Sequence, residues 1–149
     1  LFFNTLSNQK GRLKMTHRIL VVTSDPKRLA AFADSLKASQ EIQVAWADSG
    51  AAALSDVMQH PPLGVIVDEN LPDMPGLELV RRLLPVNAMI NTAVISSLSD
   101  AAFHETSEGL GILARLSPVP TESQARELLA QLKRLHVAKA SVGTPPSRT

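Results

Sequence analysis

The chain has no cysteine. That excludes disulfides, thiolate metal centres and a cysteine nucleophile, and it fits a reducing compartment. Tyrosine is also absent and aromatic residues make up only 3% of the sequence, so any core must be built from Leu, Val, Ile and Ala. No apolar run approaches the roughly 20 residues of a spanning helix. The first residues lack the apolar stretch and small-residue cleavage site of a signal peptide. The formal net charge is +1, too small for a global field that would gather nucleic acid or an acidic membrane. The basic clusters, Arg81-Arg82, Lys133-Arg134 and Lys10 with Arg12 and Lys14, read as solvated faces. No glycine-rich phosphate loop is present: Gly109-x-Gly111 is too short and stands before a strand rather than after one. His17, His60, His104 and His136 are widely spaced, with no pair at i,i+3 or i,i+4, so no zinc-ligand pattern emerges.

What remains is a pattern of alternating strands and helices. At 149 residues the chain is long enough for one domain with a real core. Residues 1–15 show neither strand nor helix period and read as a leader, disordered or added upstream of a natural start at Met15. Residues 16–137 form the domain. Residues 138–149, rich in Ser, Gly, Pro and Thr, read as a flexible tail or a linker to an output domain.

Within the domain, Ile19-Leu20-Val21-Val22 is a continuous apolar run, as in a strand buried on both faces. Asp25-Pro26 follows, a good cap and first residue for a helix bearing Leu29, Phe32, Ala33 and Leu36. Ile42, Val44 and Trp46 alternate like an edge strand. Ser49-Gly50 opens a second helix with Ala53, Leu54, Val57 and Met58 inward. Leu63-Gly64-Val65-Ile66-Val67 is the third strand. The third helix runs from about Leu77 to Pro85 with Val80, Leu83 and Leu84 inward. Ala93-Val94-Ile95 is the fourth strand, Asp100 to Gly109 a weak helix, and Ile112 to Leu116 a fifth strand. Thr121 caps a last helix carrying Leu128, Leu129, Leu132 and Leu135.

Five such units predict an α/β fold: a doubly wound, flavodoxin-like five-stranded parallel sheet with helices on both faces. The strand order expected is 2-1-3-4-5. In that order the carboxyl ends of strands one, three, four and five converge. Thr23, Ser24 and Asp25 then meet Asp68, Ser96, Ser97 and the residues after Leu116. Asp68 ends an inner strand and opens a Pro/Gly loop, where open α/β sheets place their chemistry.

The stretch Val65-Ile66-Val67-Asp68-Glu69-Asn70-Leu71-Pro72-Asp73-Met74-Pro75-Gly76-Leu77-Glu78-Leu79 resembles the phosphoacceptor strand, Leu-Pro turn and third helix of bacterial two-component receiver domains. The first unit and the Ser-Ser ending of strand four are similar too. The resemblance runs from His17 to Leu135. It implies phosphoryl transfer from a partner histidine kinase to Asp68, with Ser96 as the switch hydroxyl. It also implies Mg²⁺ held by two acidic side chains after strand one, by the acceptor Asp and by a backbone carbonyl two residues on, here that of Asn70. A lysine after strand five would add a second cation, since such transfer depends on positioning and positive charge.

This chain departs from that pattern at three places. Thr23 and Ser24 stand at the acidic-pair positions, and only Asp25, one residue later, is acidic. Leu116-Ser117-Pro118-Val119-Pro120 stands where Lys-Pro belongs, and no lysine occurs between Lys37 and Lys133. Strand five carries Ala114 and Arg115 in place of an aromatic switch residue. Asp25 has two readings: helix cap, or displaced metal ligand with Asp68 and Asn70. Glu69 is expected to point away from the pocket, and Asp73 to occupy a turn. Mg²⁺ is therefore a doubtful cofactor.

The reading favoured is a non-enzymatic, cytoplasmic pseudo-receiver acting by protein–protein contact. Its partner would be a histidine kinase, an output domain or a second copy, with no nucleic acid or membrane bound through this domain. The alternative is a working receiver phosphorylated on Asp68, using Arg115 or a partner's cation in place of the lysine. A flavin-binding domain or unrelated small α/β enzyme would need a glycine in Thr23-Ser24-Asp25-Pro26, which has none.

Overall fold

The computed structural model describes residues 16–143, with side chains described through residue 138. The leader at 1–15 and the last six residues of the tail lie outside the described residues. The strands are β1 (His17–Val22), β2 (Ile42–Ala47), β3 (Gly64–Val67), β4 (Thr92–Ile95) and β5 (Ala114–Leu116). The helices are α1 (Ala30–Lys37), α2 (Gly50–Gln59), α3 (Gly76–Val86), α4 (Asp100–Ser107) and α5 (Glu122–Gly143). All strand pairs are parallel, in the order β2-β1-β3-β4-β5. The fold class and order read from sequence hold.

Period-two alternation divides the core. Ile19, Val21, Ile66, Ala93 and Ile95 point to one face and pack on Leu29, Phe32 and Leu36 of the α1 unit and on Ala125, Leu128, Leu129 and Leu132 of α5. Leu20, Val22, Val65, Val67 and Val94 point to the other and meet Ala53 and Val57 of α2 and Leu79, Val80 and Leu83 of α3. Central strands have helices on both faces, which is why they read as unbroken apolar runs. Each fully buried Leu, Val or Phe contributes about 1.5–3 kcal/mol.

Local signals set the helix starts. Ser49 Oγ accepts from the Ala52 amide at 3.1 Å and Ser99 Oγ from the Ala102 amide at 3.2 Å. At α5, Thr121 Oγ1 accepts from the Gln124 amide while Gln124 Oε1 accepts from the Thr121 amide, each at 3.1 Å, a reciprocal capping box. Gly109 and Gly111, at φ 82° and 66°, supply the left-handed backbone that turns the chain from α4 into β5.

Several boundaries differ from the sequence reading. The segment after Asp25-Pro26 first forms i→i+3 turns (Arg28 N to Asp25 O, Leu29 N to Pro26 O, Ala30 N to Lys27 O), and α1 begins only at Ala30 with no side-chain cap. Asp25 is therefore not the cap of that helix. Helix α5 continues past residue 137 to Gly143, because Ala138-Lys139-Ala140 are strong helix formers; part of the expected tail is helical. Pro85 lies inside the last turn of α3 rather than ending it. Strand β5 is shorter than expected, beginning at Ala114. Met58 is 66% exposed and not part of the inward face of α2: at about 100° per residue it lies roughly 140° from Ala53. Helix α4 buries no residue. No helix among the described residues is long and apolar enough to cross a membrane.

Candidate functional site

The site is built where the inner strands end. Val22 pairs with Val67, so the next residues, Thr23 and Asp68, come side by side. The Asp68 amide donates to Val22 O at 2.9 Å, extending the ladder by one rung. Asp68 is 4% exposed and Thr23 2%. A carboxylate this buried must find partners or give up its charge.

It finds three. Thr23 Oγ1 donates to Asp68 Oδ2 at 2.6 Å. The Glu69 amide donates to Oδ1 at 2.8 Å. Arg28 Nη2 donates to the same Oδ1 at 2.6 Å. The guanidinium also donates through Nε to Pro118 O, in the β5–α5 loop, at 3.0 Å. Its Nη1 lies 3.7 Å from Asp25 Oδ2, a long contact at an exposed carboxylate. The i→i+3 turns after Asp25 bring Arg28 over the pocket. A fork of donors lets one side chain reach a carboxylate and a carbonyl together.

The β3–α3 loop is fixed by its own bonds. The Leu71 amide donates to Met74 O and the Gly76 amide to Glu69 O, and buried Leu71 anchors it to the core. A Cβ at residue 76 would overlap the Asp68 carbonyl oxygen, so glycine there is what allows α3 to start against the acceptor position. Asp73 does more than occupy a turn. Its two carboxylate oxygens accept from the Gly50 and Ala51 amides at 2.9 and 3.0 Å, pinning the loop to the start of α2. The Gly50 amide first, and then Ala51, hold its carboxyl below the ordinary value of 3.8.

The structure brings together Thr23, Asp68 and the loop after Leu116, as expected from the strand order. Ser96 is buried at the end of β4; its amide donates to Leu116 O and its Oγ accepts from the Leu98 amide at 3.1 Å. Three other residues stand elsewhere. Ser24 faces an open groove of about 430 Å³, shared with Trp46 and Asp48. Glu69, expected to point away from the pocket, reaches to the next loop: its Oε2 accepts from both the amide and the hydroxyl of Ser97 at 3.0 Å, tying the β3–α3 loop to the β4–α4 loop. Arg115, the sequence candidate for a replacement cation, pairs with Asp100, donates to Leu98 O and lies 5.7 Å from the Phe103 ring centre. It serves the start of α4, not Asp68. The cation on Asp68 is Arg28, which the sequence reading passed over. The available signal was a cation three residues after Asp25 in the first βα turn, in a chain with no lysine after β5.

These residues do not fit Mg²⁺. The ion demands hard oxygen ligands in tight octahedral geometry. Here the one buried carboxylate already accepts three hydrogen bonds, one of them from a guanidinium on Oδ1. Asp25, the other acid of the candidate set, has its side chain 54% exposed, and the Asn70 carbonyl adds no charge. Among the described residues no three His, Cys, Asp or Glu side chains are grouped to hold a metal.

Comparison with known proteins agrees with the fold. Residues 19–117 match the family profile of the response regulator receiver domain. Over 62 residues the chain is 39% identical to the transcriptional regulatory protein KdpE of Mycobacterium tuberculosis, covering 42% of this chain and 27% of that protein. The chain thus spans about a quarter of that relative's length. Among solved structures, the REC domain of AraT, a response regulator from Geobacillus stearothermophilus, superposes with TM-score 0.75 at 20% identity, covering 85% of this chain and 99% of that one. A CheY-like response regulator receiver domain protein from Methanospirillum hungatei gives TM-score 0.69 at 20% identity, with 85% and 98% covered.

Proposed function

We propose a function from one premise: the chain belongs to the response regulator receiver domain family. It is a receiver domain of two-component signalling. Our reading is that it works as a pseudo-receiver, passing its signal by protein–protein contact without aspartyl-phosphate control. One observation carries this. The Asp68 carboxylate already accepts from a hydroxyl, an amide and a guanidinium, while Thr23 and Ser24 stand at the acidic-pair positions. Phosphoryl transfer to a carboxylate needs a cation that gathers the incoming phosphoryl oxygens. Arg28 instead spends its charge on the nucleophile.

The partner is a kinase, an output domain or a second copy of the chain, met in the cytoplasm. Contact through α4, β5 and α5 suits this reading. Helix α4 buries no residue, and its start is held by the surface pair of Arg115 with Asp100, worth roughly 0–1 kcal/mol. Such an element has little to lose by shifting when a partner docks. The domain itself is read as non-enzymatic.

A second reading, a working receiver phosphorylated on Asp68, is favoured by the position of Asp68 and by buried Ser96 on the adjacent strand end. Amide NMR shifts at Asp68 and Ser96 decide between them, with Mg²⁺ and then acetyl phosphate or beryllofluoride added, and Asp68→Asn as control. The pseudo-receiver reading expects no saturable response at about 20 mM Mg²⁺, well above the need of weak carboxylate sites. Saturable shifts abolished by Asp68→Asn would refute it and establish the working receiver.

A further inference from the structure

We infer that Arg28 is a built-in cation that takes the place of the family's metal and lysine together, and that it clamps the Asp68 pocket to the β5–α5 loop in a single arrangement. The inference rests on the pseudo-receiver reading and deepens it by naming the device that holds the state.

The geometry is specific to this side chain. Nη2 bonds Asp68 Oδ1 at 2.6 Å and Nε bonds Pro118 O at 3.0 Å. One rigid guanidinium therefore bridges the end of β3 to the segment after β5, across the intervening end of β4. A metal ion would neutralise the carboxylate but would have to compete with the guanidinium already on Oδ1, and the second acid at hand, Asp25, is largely exposed. A lysine ammonium is a point charge without a planar fork. Arginine supplies charge and direction at once, and its guanidinium stays protonated throughout the physiological range. Asp68 is buried, so its attraction to Arg28 is weakly screened by salt. The loop end is reinforced locally: the single Ser117 hydroxyl proton is shared between Val119 O and Gln124 Oε1, each 3.0 Å from Oγ, and Gln124 closes the capping box of α5. Release of Pro118 thus reaches the start of α5 through Ser117 and Gln124.

This chain of contacts makes a remote prediction. The Asp68 side chain bonds Thr23, Glu69 and Arg28, none of them in residues 117–121; Arg28 is the link. Removing the Asp68 carboxylate should therefore loosen that loop. Amide hydrogen exchange at Thr121 and Gln124, whose amides are bonded in the capping box, is measured for the intact chain, Asp68→Ala and Arg28→Gln, with Arg115→Gln as a control whose side chain bonds only Leu98 and Asp100. The clamp expects exchange about tenfold faster in both pocket variants, the upper scale of one lost hydrogen bond, and unchanged in Arg115→Gln. Unchanged exchange in Asp68→Ala overturns the clamp. Should Arg28→Gln fail to fold, Asp68→Ala alone reads the coupling. Titration of the intact chain with Mg²⁺ alone, followed at the Glu69 and Ser97 amides, separates the two ideas. A saturable response sinks the phosphorylation-independent reading whatever the loop does; an unresponsive loop in Asp68→Ala sinks the clamp whatever Mg²⁺ does.

Discussion

Replacing Arg28 by Gln should destabilise the domain by about 2–3 kcal/mol. Breaking a fully buried ion pair costs about 3–5 kcal/mol because a charge is left desolvated and alone. An exposed pair is worth roughly 0–1 kcal/mol. This pair lies between: the Asp68 side chain is 6% exposed and that of Arg28 32%. Asp68 also keeps the Thr23 hydroxyl and the Glu69 amide, so its loss is partial. Asp68→Asn should cost about 1–2 kcal/mol, since the buried acceptor survives but its charge does not. The sign matters more than the size. In a pocket of several carboxylates, neutralising one relieves repulsion and stabilises the fold; here it removes the partner of a guanidinium and destabilises it. The double variant should lose less than the sum, with a coupling of about 1.5–2.5 kcal/mol. Urea denaturation of the four proteins reads this directly. With a slope of about 1–3 kcal/mol/M, Arg28→Gln lowers the midpoint by roughly 0.7–3 M. A stabilising Asp68→Asn, or additivity within about 0.5 kcal/mol, would show that Arg28 is not the charge partner of Asp68.

Two further perturbations test the scaffold around the site. Gly76→Ala should cost about 3 kcal/mol, the upper end of overpacking, because the new Cβ meets the Asp68 carbonyl, which is backbone. Gly50→Ala should stay within about 1 kcal/mol of the parent: its Cβ would lie 2.5–2.9 Å from Met74 side-chain atoms, a flexible chain that can move, and alanine gains helix propensity. Urea midpoints of the two variants check the contrast. Asp73 adds a pH dependence. Its carboxyl is held below 3.8 in the folded state by the Gly50 and Ala51 amides, so its contribution is present above that ordinary value and is lost as pH falls through the lowered one. Asp73→Asn should flatten the part of the midpoint–pH curve just below 3.8, and an unchanged slope there refutes the tie between Asp73 and the Gly50 and Ala51 amides.

Much of the fold was legible because period-two and period-3.6 patterns record burial directly. Ile19 to Val22 reads as a central strand since helices cover both its faces. Ser49, Ser99 and Thr121 mark helix starts because short oxygen-bearing side chains satisfy orphan amides. The failures have equally local causes. Asp25-Pro26 looks like a helix start, but the chain spends its next residues in i→i+3 turns, and composition does not distinguish a turn from the first turn of a helix. Met58 looks inward as a neighbour of Val57, but helical geometry turns it to solvent.

The site divides along the same line. The place of Asp68 follows from strand order, and strand order follows from the patterns. Its chemistry does not, because that depends on which charge stands within about 4 Å, and a long side chain can come from anywhere nearby. The sequence shows that lysine is missing after β5, and the nearest basic residue on that strand, Arg115, is the natural substitute. Arg115 faces Asp100 and Phe103 instead, since residue 115 sits at an edge position whose side chain points to α4. The replacement comes from the opposite side of the pocket, where a turn absent from the sequence reading delivers Arg28. A charge deficit at a buried carboxylate is therefore a sound reason to search every loop that reaches the same sheet end, and the β1–α1 turn is the nearest of them by register: Thr23 is already the neighbour of Asp68.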